Sequence, residues 1–434
     1  MDRINIIGAG LAGCEAAWQA AQRTVPVTLY EMRPEKMTPA HKTAGFAELV
    51  CSNSLRASAR ENAVGLLKEE MQRLDSLIME AALATKVPAG SALAVDREQF
   101  SAYISQKIKK HPLIEVKHVE VTDIPQGLTI IAAGPLVSQP LAQAIADFTG
   151  QKHLFFHDAV APVVAKDSVD MSVAFWASRY DKGETGGDYI NCPMDKAQYL
   201  HFYEQLLAAE LYPLHGFEAE KIFEGCMPIE AMAQRGVDTM RYGPMKPVGL
   251  TCPDGHQPYA VVQLRQDDQA ASMYNLVGFQ TRLKRGEQER VFRLIPGLAN
   301  AEFVRFGMMH LNTYINAPQI LGPDLVCKKR ADLLFAGQIS GVEGYVESAA
   351  CGLAAGINAA RIATGKSAVV FPNETALGSL LRYISSSNSN FQPMNITFGL
   401  IPPLEKRIKN KKEKNMALAE RALTALNNFL SVIK

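Results

Sequence analysis

Hydrophobic positions along the chain fall into two kinds of pattern. Short continuous apolar runs bounded by glycine predict buried strands, and longer stretches of small and apolar residues at helical spacing predict buried helices. Arg3 to Ile7 is the first such strand. It runs into Gly8-Ala9-Gly10-Leu11-Ala12-Gly13, after which Cys14 to Ala21 reads as helix. Val25 to Tyr30 is a second strand ending at Glu31, and Leu128 to Ala133 a third that leaves the sheet at Gly134-Pro135. Near the other end, Leu333 to Ala336 meets Gly337-Gln338, and beyond Ser348 a small-residue helix covers Ala349 to Ala360. From about residue 150 to Asp324 this strand–helix rhythm disappears. Val160 to Ala165 and Tyr259 to Leu264 look like strands there, and residues 197–211 like a helix with Tyr199, Phe202, Tyr203, Leu206 and Leu207 on one face.

The opening segment is G-x-G-x-x-G with a strand before it and a helix after it. Gly8 permits the tight turn, Gly10 lets a pyrophosphate approach the backbone, and Gly13 lets the helix pack closely on the strand. Glu31, 18 residues past Gly13, is placed to accept hydrogen bonds from the ribose hydroxyls of an adenosine. The second strand–glycine–helix element, far along the chain, suits FAD rather than NAD, because an isoalloxazine ring must be gripped at its other end. Helix amides there stabilise negative charge on a reduced ring. The expected cofactor residues are therefore Gly8, Ala9, Gly10, Leu11, Ala12, Gly13 and Glu31 at one end, and Gly337, Gln338, Gly341 and Glu343 at the other. Glu347 falls near the same helix, and capping is the alternative role for either glutamate. The resulting fold class is α/β: a glutathione-reductase-type FAD-binding Rossmann domain with an inserted mixed α+β domain. Its expected divisions are 1–150 and 325–400 for the flavin domain, 151–324 for the insert, and 401–434 for a basic C-terminal helix.

Composition narrows the class of protein without naming its substrate. The 434 residues exceed one ordinary domain, and 47% hydrophobic with 21% charged residues is the balance of a globular protein. Lys+Arg 45 against Asp+Glu 44 gives a net charge of +1, so any nucleic-acid surface must be a local one. The start, MDRINIIGAG, lacks the features of a signal peptide, and no apolar run is long enough to span a membrane. A cytoplasmic protein without a membrane partner is expected. The seven cysteines contain no CxxC pair, which argues against a disulfide scaffold or a zinc site, and no metal is expected. The one dense basic run, Glu405 to Lys414, precedes an amphipathic helix from Met416 to Leu430. It is either a solvated face or a set of phosphate contacts.

Two cysteines stand in unusual surroundings. Cys51 lies in ELVCSNSLR, just before a helix expected to start near Ser58 to Glu61, with Arg56 nearby. A positive helix end and a cation both favour a thiolate. Cys226 lies in FEGCMPIE, between Gly225 and Met227-Pro228, and is followed by Arg235, Arg241 and Lys246. Taken alone, each reads more readily as a small buried hydrophobe than as a catalyst.

The chain resembles the TrmFO family of folate- and FAD-dependent uridine methyltransferases, related to the flavoprotein MnmG (GidA). The resemblance covers nearly the whole length. It rests on GAGLAGCEAA, ELVCSNSLR, FEGCMPIE, RYGPMKPVGL, MHLNTYINAP, FAGQISGVEGYVESAA and ITFGLIPPL. Leu311 departs from the basic residue that commonly follows the histidine of MHxN in this family.

The resemblance implies methylation of carbon 5 of a uridine, most often in the T-loop of tRNA. The carbon comes from 5,10-methylenetetrahydrofolate and the hydride from reduced FAD, which NAD(P)H regenerates. A thiolate adds to carbon 6 of uracil and makes carbon 5 nucleophilic; a base then removes the carbon 5 proton. Cys226 is assigned as nucleophile and Cys51 as base or flavin-side partner, the reverse remaining open. His310, Asn312 and Asn316 are candidates to line the flavin or folate site, against turn capping. No protein partner is expected. The alternatives are the same chemistry on a 23S rRNA uridine and an FAD-dependent oxidoreductase of a small molecule. The latter would carry a second G-x-G-x-x-G for NAD(P)H in mid-chain, which is absent. A wobble-uridine enzyme like MnmG would need a longer helical C-terminal extension.

Overall fold

The computed structural model describes residues 3–181, 187–213, 227–388 and 391–433, with the side chains of 156–158, 181 and 310 left aside. A six-stranded sheet begins where the apolar runs place it. Its strands lie in the order Val326–Cys327, Arg330–Phe335, Thr129–Ile131, Ile4–Ile7, Val27–Glu31 and Ile114–His118. All neighbours are parallel except the outermost Val326–Cys327. Ile4, Ile6, Val27, Leu29, Ile130, Ile131, Leu333 and Leu334 are fully buried, the continuous apolar strand character of a sheet covered on both faces.

Two helices carry the ends of the expected dinucleotide site and pack on each other. Leu11–Gln22 follows the glycine turn, and Tyr345–Ala363 follows the strand Arg330–Phe335. Their contact is made of small residues because nothing larger fits. A Cβ added to Gly352 would lie 2.1 Å from the Ala12 carbonyl oxygen, and one on Gly356 would lie 2.5 Å from that of Ala16. The small-residue pattern read from the sequence as a helix is thus also a helix–helix contact.

A second hydrophobic core surrounds an antiparallel sheet. Its strand order is Phe175–Ala177, Tyr189–Met194, Ala260–Gln266, Met273–Leu276, Val163–Ala165 and Phe303–Arg305. The helix expected over 197–211 spans Lys196–Leu207, capped by a reciprocal Asp195–Gln198 pair. It buries Tyr199, Phe202 and Leu206, but Leu207 is 42% exposed. At 3.6 residues per turn Leu207 sits about 80° around the axis from Tyr199, at the margin of the stripe. Phe202 and Phe292 both pack on Phe279, with ring centroids 6.2 and 5.6 Å apart.

The C-terminal helix runs from Lys411 to Ile433, longer than its apolar stripe suggested. Leu418, Ala419, Ala422, Leu423 and Leu426 insert into the first core, while Lys411, Lys412 and Lys414 face solvent. Among the described residues no helix is long and apolar enough to cross a membrane.

Candidate active site

The glycine turn has the shape its spacing implies. Gly8 has φ +99°, and a Cβ on Gly13 would fall 1.7 Å from the Gly8 carbonyl oxygen, so neither position accepts a side chain. Gly10 differs: a Cβ there would meet nothing within 4 Å. Open space therefore lies over the N-terminus of Leu11–Gln22, where unpaired amides face a ligand's negative charge. That open space belongs to a cleft of about 510 Å3, large enough for a bound organic ligand.

Of the residues expected at the adenosine end, Gly8, Gly10, Leu11, Ala12 and Glu31 line the cleft. Ala9 and Gly13 are buried behind it. Glu31 departs from its simple expectation. One of its oxygens accepts from the Arg33 amide at 3.0 Å and Arg33 Nε at 2.9 Å; the other accepts from Ala9 N–H at 2.9 Å and Arg33 Nη2 at 3.2 Å. The carboxylate is saturated by the protein. Burial would push it up, but the hydrogen bonds and charge of Arg33, with the Ala9 amide, hold it below the usual range. Arg33, only 2% exposed, also contacts Glu48 at 3.2 Å. Sequence reasoning missed it, and an arginine two positions beyond the strand-end acid was the available signal.

At the far end, Gly337, Gln338 and Glu343 line the cleft, with Gln338 Nε2 donating to Glu343 at 2.6 Å. Gly341 turns away: with φ +86°, its Cβ position is filled by the ring of Phe391 at 2.4 Å. The helix N-cap position is Gly344, so neither glutamate caps it. Glu347 is fully buried, pairs with Arg56 and accepts from the Ile396 amide at 2.9 Å. Asn312 is buried and lines the cleft. Asn316 does not line it and lies at the start of the short helix Ala317–Ile320 without a side-chain cap bond. The side chain of His310 and the whole of Cys226 lie outside the described residues.

Cys51 lines the same cleft, and its surroundings correct one expectation. The next element is not a helix but the strand Ser54–Ala57, paired with Ala92–Val95; the helix begins only at Ala63. The strand thus stands between Cys51 and a helix that starts two residues later than expected. Arg56 does not supply the cation, because it pairs with Glu347. What the thiol meets instead is Tyr345, the first residue of the flavin-side helix. The Tyr345 hydroxyl oxygen lies 2.8 Å from Cys51 Sγ, and it accepts from the amides of Cys51 at 2.8 Å and Ser52 at 3.2 Å. A phenol oxygen with two acceptor positions filled has only its hydrogen left to give, so the O–H points at sulfur. Burial, and then the neighbouring Cys51, push the Tyr345 phenol well up, which keeps that hydrogen in place.

The loop behind the thiol is fixed from both cores. Arg265, on the strand Ala260–Gln266, donates to Ser52 Oγ at 2.8 Å and Asn53 Oδ1 at 3.0 Å. Asn53 in turn donates to the carbonyls of Val95 and Gln266 at 3.0 and 2.8 Å. Lys68 gives its hydrogens to the carbonyls of Leu55, Arg56 and Ala57, at 2.6, 3.2 and 2.7 Å. Burial, then the charge of Arg56, push this ammonium down to about 7. In contrast, burial pushes the thiols of Cys14, Cys192 and Cys351 upward, and none of these three lines the cleft.

Residues 3–367 match the family model described as glucose inhibited division protein A. Two sequence relatives cover nearly everything. One from Enterococcus faecalis is 60% identical over 97% of each chain, and one from Listeria monocytogenes serotype 4b is 61% identical over 98% of each; both are named methylenetetrahydrofolate--tRNA-(uracil-5-)-methyltransferase TrmFO. The chain belongs to the TrmFO family. The wider fold of that family is shared with Aquifex aeolicus GidA, which superposes with a TM-score of 0.70 at 15% identity, over 98% of this chain and 73% of that one. FAD is the cofactor of this flavoprotein family, and the open space over Gly10 fits a pyrophosphate.

Proposed function

We propose that this protein methylates carbon 5 of a uridine in tRNA, in the cytoplasm, with 5,10-methylenetetrahydrofolate as carbon donor and NAD(P)H as reductant. What carries the proposal is Cys51 at the flavin end of the cleft, in a chain about 60% identical from end to end to relatives named for this reaction. FAD held between the Gly8–Gly13 turn and the Gly337–Glu343 segment supplies the hydride when reduced.

The protein's own groups manage the uracil ring. Cys226 adds through sulfur to carbon 6, and the electron pair moved onto the carbon 4 carbonyl makes carbon 5 the nucleophile. Cys51 takes the proton from carbon 5 once that carbon holds its new substituent, and the Cys226–carbon 6 bond then breaks. The Tyr345 O–H steadies Cys51 as an anion ready for that proton. Arg265 and Asn53 hold the loop so that sulfur stays aimed into the cleft.

The test is to incubate purified protein with unmodified tRNA transcript, methylenetetrahydrofolate and NADPH, and to quantify 5-methyluridine by mass spectrometry. A parallel reaction uses S-adenosylmethionine instead of folate. Product with folate alone supports the proposal. Product on a 23S rRNA fragment but not on tRNA moves the target, and NADPH oxidation without any methylated RNA overturns it.

A further inference from the structure

At the rim of the cleft the two cores bring together cations beside a carboxylate, Glu48, that other donors occupy. Lys42 comes from the segment between Val27–Glu31 and Ser54–Ala57, and Arg305 from the edge strand Phe303–Arg305. Both line a small cavity with Glu48, Val50, Phe306 and Met308, and Val50 and Val160 also line the main cleft. The thiol of Cys51 is therefore one residue away from this rim. Arg285 lies over the ring of Phe306, with Cζ 4.3 Å from its centroid, and Phe306 stacks on Phe303 at 5.5 Å.

Among the described residues, the side chains of Lys42, Arg285 and Arg305 form no hydrogen bond or ion pair. The carboxylate at hand, Glu48, is engaged elsewhere: Arg33, the Thr43 side chain and the amides of Lys42 and Thr43 all donate to it. The other buried acid nearby, Asp267, is paired with Arg97 at 3.0 Å. Burial and like charge bear on both cations. Burial and then Arg305 push the Lys42 ammonium down, and burial and then Arg97 do the same to Arg305. An anion at the rim would relieve that repulsion. An apolar side chain stands exposed beside it, Met308 at 41%.

Cations whose side chains form no ion pair, an aromatic ring with a guanidinium on its face, and an exposed apolar neighbour make up a single-strand RNA surface. We propose that Lys42 and Arg305 bind the phosphodiester groups flanking the target uridine, while the Arg285 guanidinium, backed by Phe306, stacks an adjacent base on its outer face. This inference rests on the proposed activity. It assigns that activity a place where the RNA backbone is held while its uracil enters the cleft toward Cys51. Base extrusion needs such an anchor, because unstacking a nucleotide costs a few kcal/mol that contacts to its backbone must offset.

The experiment compares Lys42→Ala, Arg305→Ala, the double variant and Arg305→Lys with the unmodified enzyme. It measures KM for tRNA transcript across a series of KCl concentrations, together with KM for methylenetetrahydrofolate and for NADPH. Bound FAD and Tm of each preparation establish that it is folded, and Arg305→Gln replaces any alanine variant that is not. The expected result is a tRNA KM raised about tenfold by Arg305→Ala. The slope of log KM against log salt should fall by about 0.7 to 0.9 for each charge removed and be largely retained in Arg305→Lys. An unchanged tRNA KM and salt slope in the folded double variant overturns the inference. So does an effect confined to the KM of folate or NADPH, which would make the rim a small-molecule anion site. Failure of the unmodified enzyme to methylate tRNA is a separate result and counts against the activity itself.

Discussion

The hydroxyl of Tyr345 lies 2.8 Å from the sulfur of Cys51 and equally close to the amide nitrogen of the same residue, across 294 positions of sequence. Because two amides already fill the phenol oxygen's acceptor positions, the hydrogen is directed at sulfur. Replacing Tyr345 by Phe removes one donor from the thiol and one acceptor from each of two amides. The expected result is slower iodoacetamide labelling of Cys51 at neutral pH and a loss of methylation of about tenfold or more, since a buried unsatisfied group costs about 1–3 kcal/mol. Labelling as fast as in the unmodified protein would show that the hydrogen points elsewhere.

The two glycines of the fingerprint separate folding from cofactor binding. Gly10→Val places its side chain in open space within the protein, so the apoprotein should keep its melting temperature within a few degrees. The same side chain occupies the approach to the helix amides, and FAD affinity should fall at least about tenfold, equal to 1.4 kcal/mol. Gly13→Val should instead fail to fold, because its Cβ collides with the Gly8 carbonyl. Fluorescence titration with FAD and thermal melts of the apoprotein distinguish the two outcomes.

Arg56 holds the buried Glu347, and both ends of that pair tie the Cys51 segment to the flavin-side helix. Arg56→Ala leaves the carboxylate in an apolar setting with only the Ile396 amide. Breaking a buried pair from one side costs about 3–5 kcal/mol, less here because Arg56 is 38% exposed. A urea midpoint displaced downward with unchanged slope is the expected reading; an unshifted midpoint would mean the pair contributes nothing.

Glu70 makes stability depend on pH. Fully buried, it accepts from the amides of Ala376 and Leu377 at the start of the helix Ala376–Ser385, at 2.7 and 2.9 Å. Burial pushes its carboxyl up from 4.5 to about 7, outweighing those two hydrogen bonds. Between these values the folded protein binds a proton that the unfolded chain has lost. The stability from this group is complete below pH 4.5 and is lost as pH rises through about 7. Glu70→Gln keeps an oxygen acceptor for one of the two amides and removes the titration. Its denaturation free energy should therefore fall less between pH 5 and 7.5 than that of the unmodified protein, and parallel curves would exclude the assignment.

The catalytic pair gives the remaining test. Cys51→Ala and Cys226→Ala should each abolish 5-methyluridine while leaving bound FAD in place. Covalent trapping of RNA carrying 5-fluorouridine should be lost with the nucleophile and kept with the base. Trapping that disappears in Cys51→Ala but survives in Cys226→Ala would reverse the assigned roles.

The sequence by itself determined the parallel sheet, the glycine turn, the second strand–glycine–helix element and the family. These features are local: an apolar run bounded by glycine fixes a strand, and a Gly13 that must touch Gly8 acts within a few residues. The sequence also singled out Cys51, on a helix end and the cation of Arg56, but the strand Ser54–Ala57 stands between the thiol and that helix, and Arg56 pairs with Glu347. Only the tertiary structure decided what surrounds that thiol. Tyr345 and Arg265 converge on one loop from two distant elements, and no periodicity in the chain encodes where their polar ends meet. It also decided that Glu31 is saturated by Arg33 and the Ala9 amide, and that Lys42 and Arg305 line one cavity with a Glu48 that other donors occupy. Periodicity reports which face of an element is buried; the partner of each polar group is fixed only when separate elements pack, because burial forces those groups to find one another.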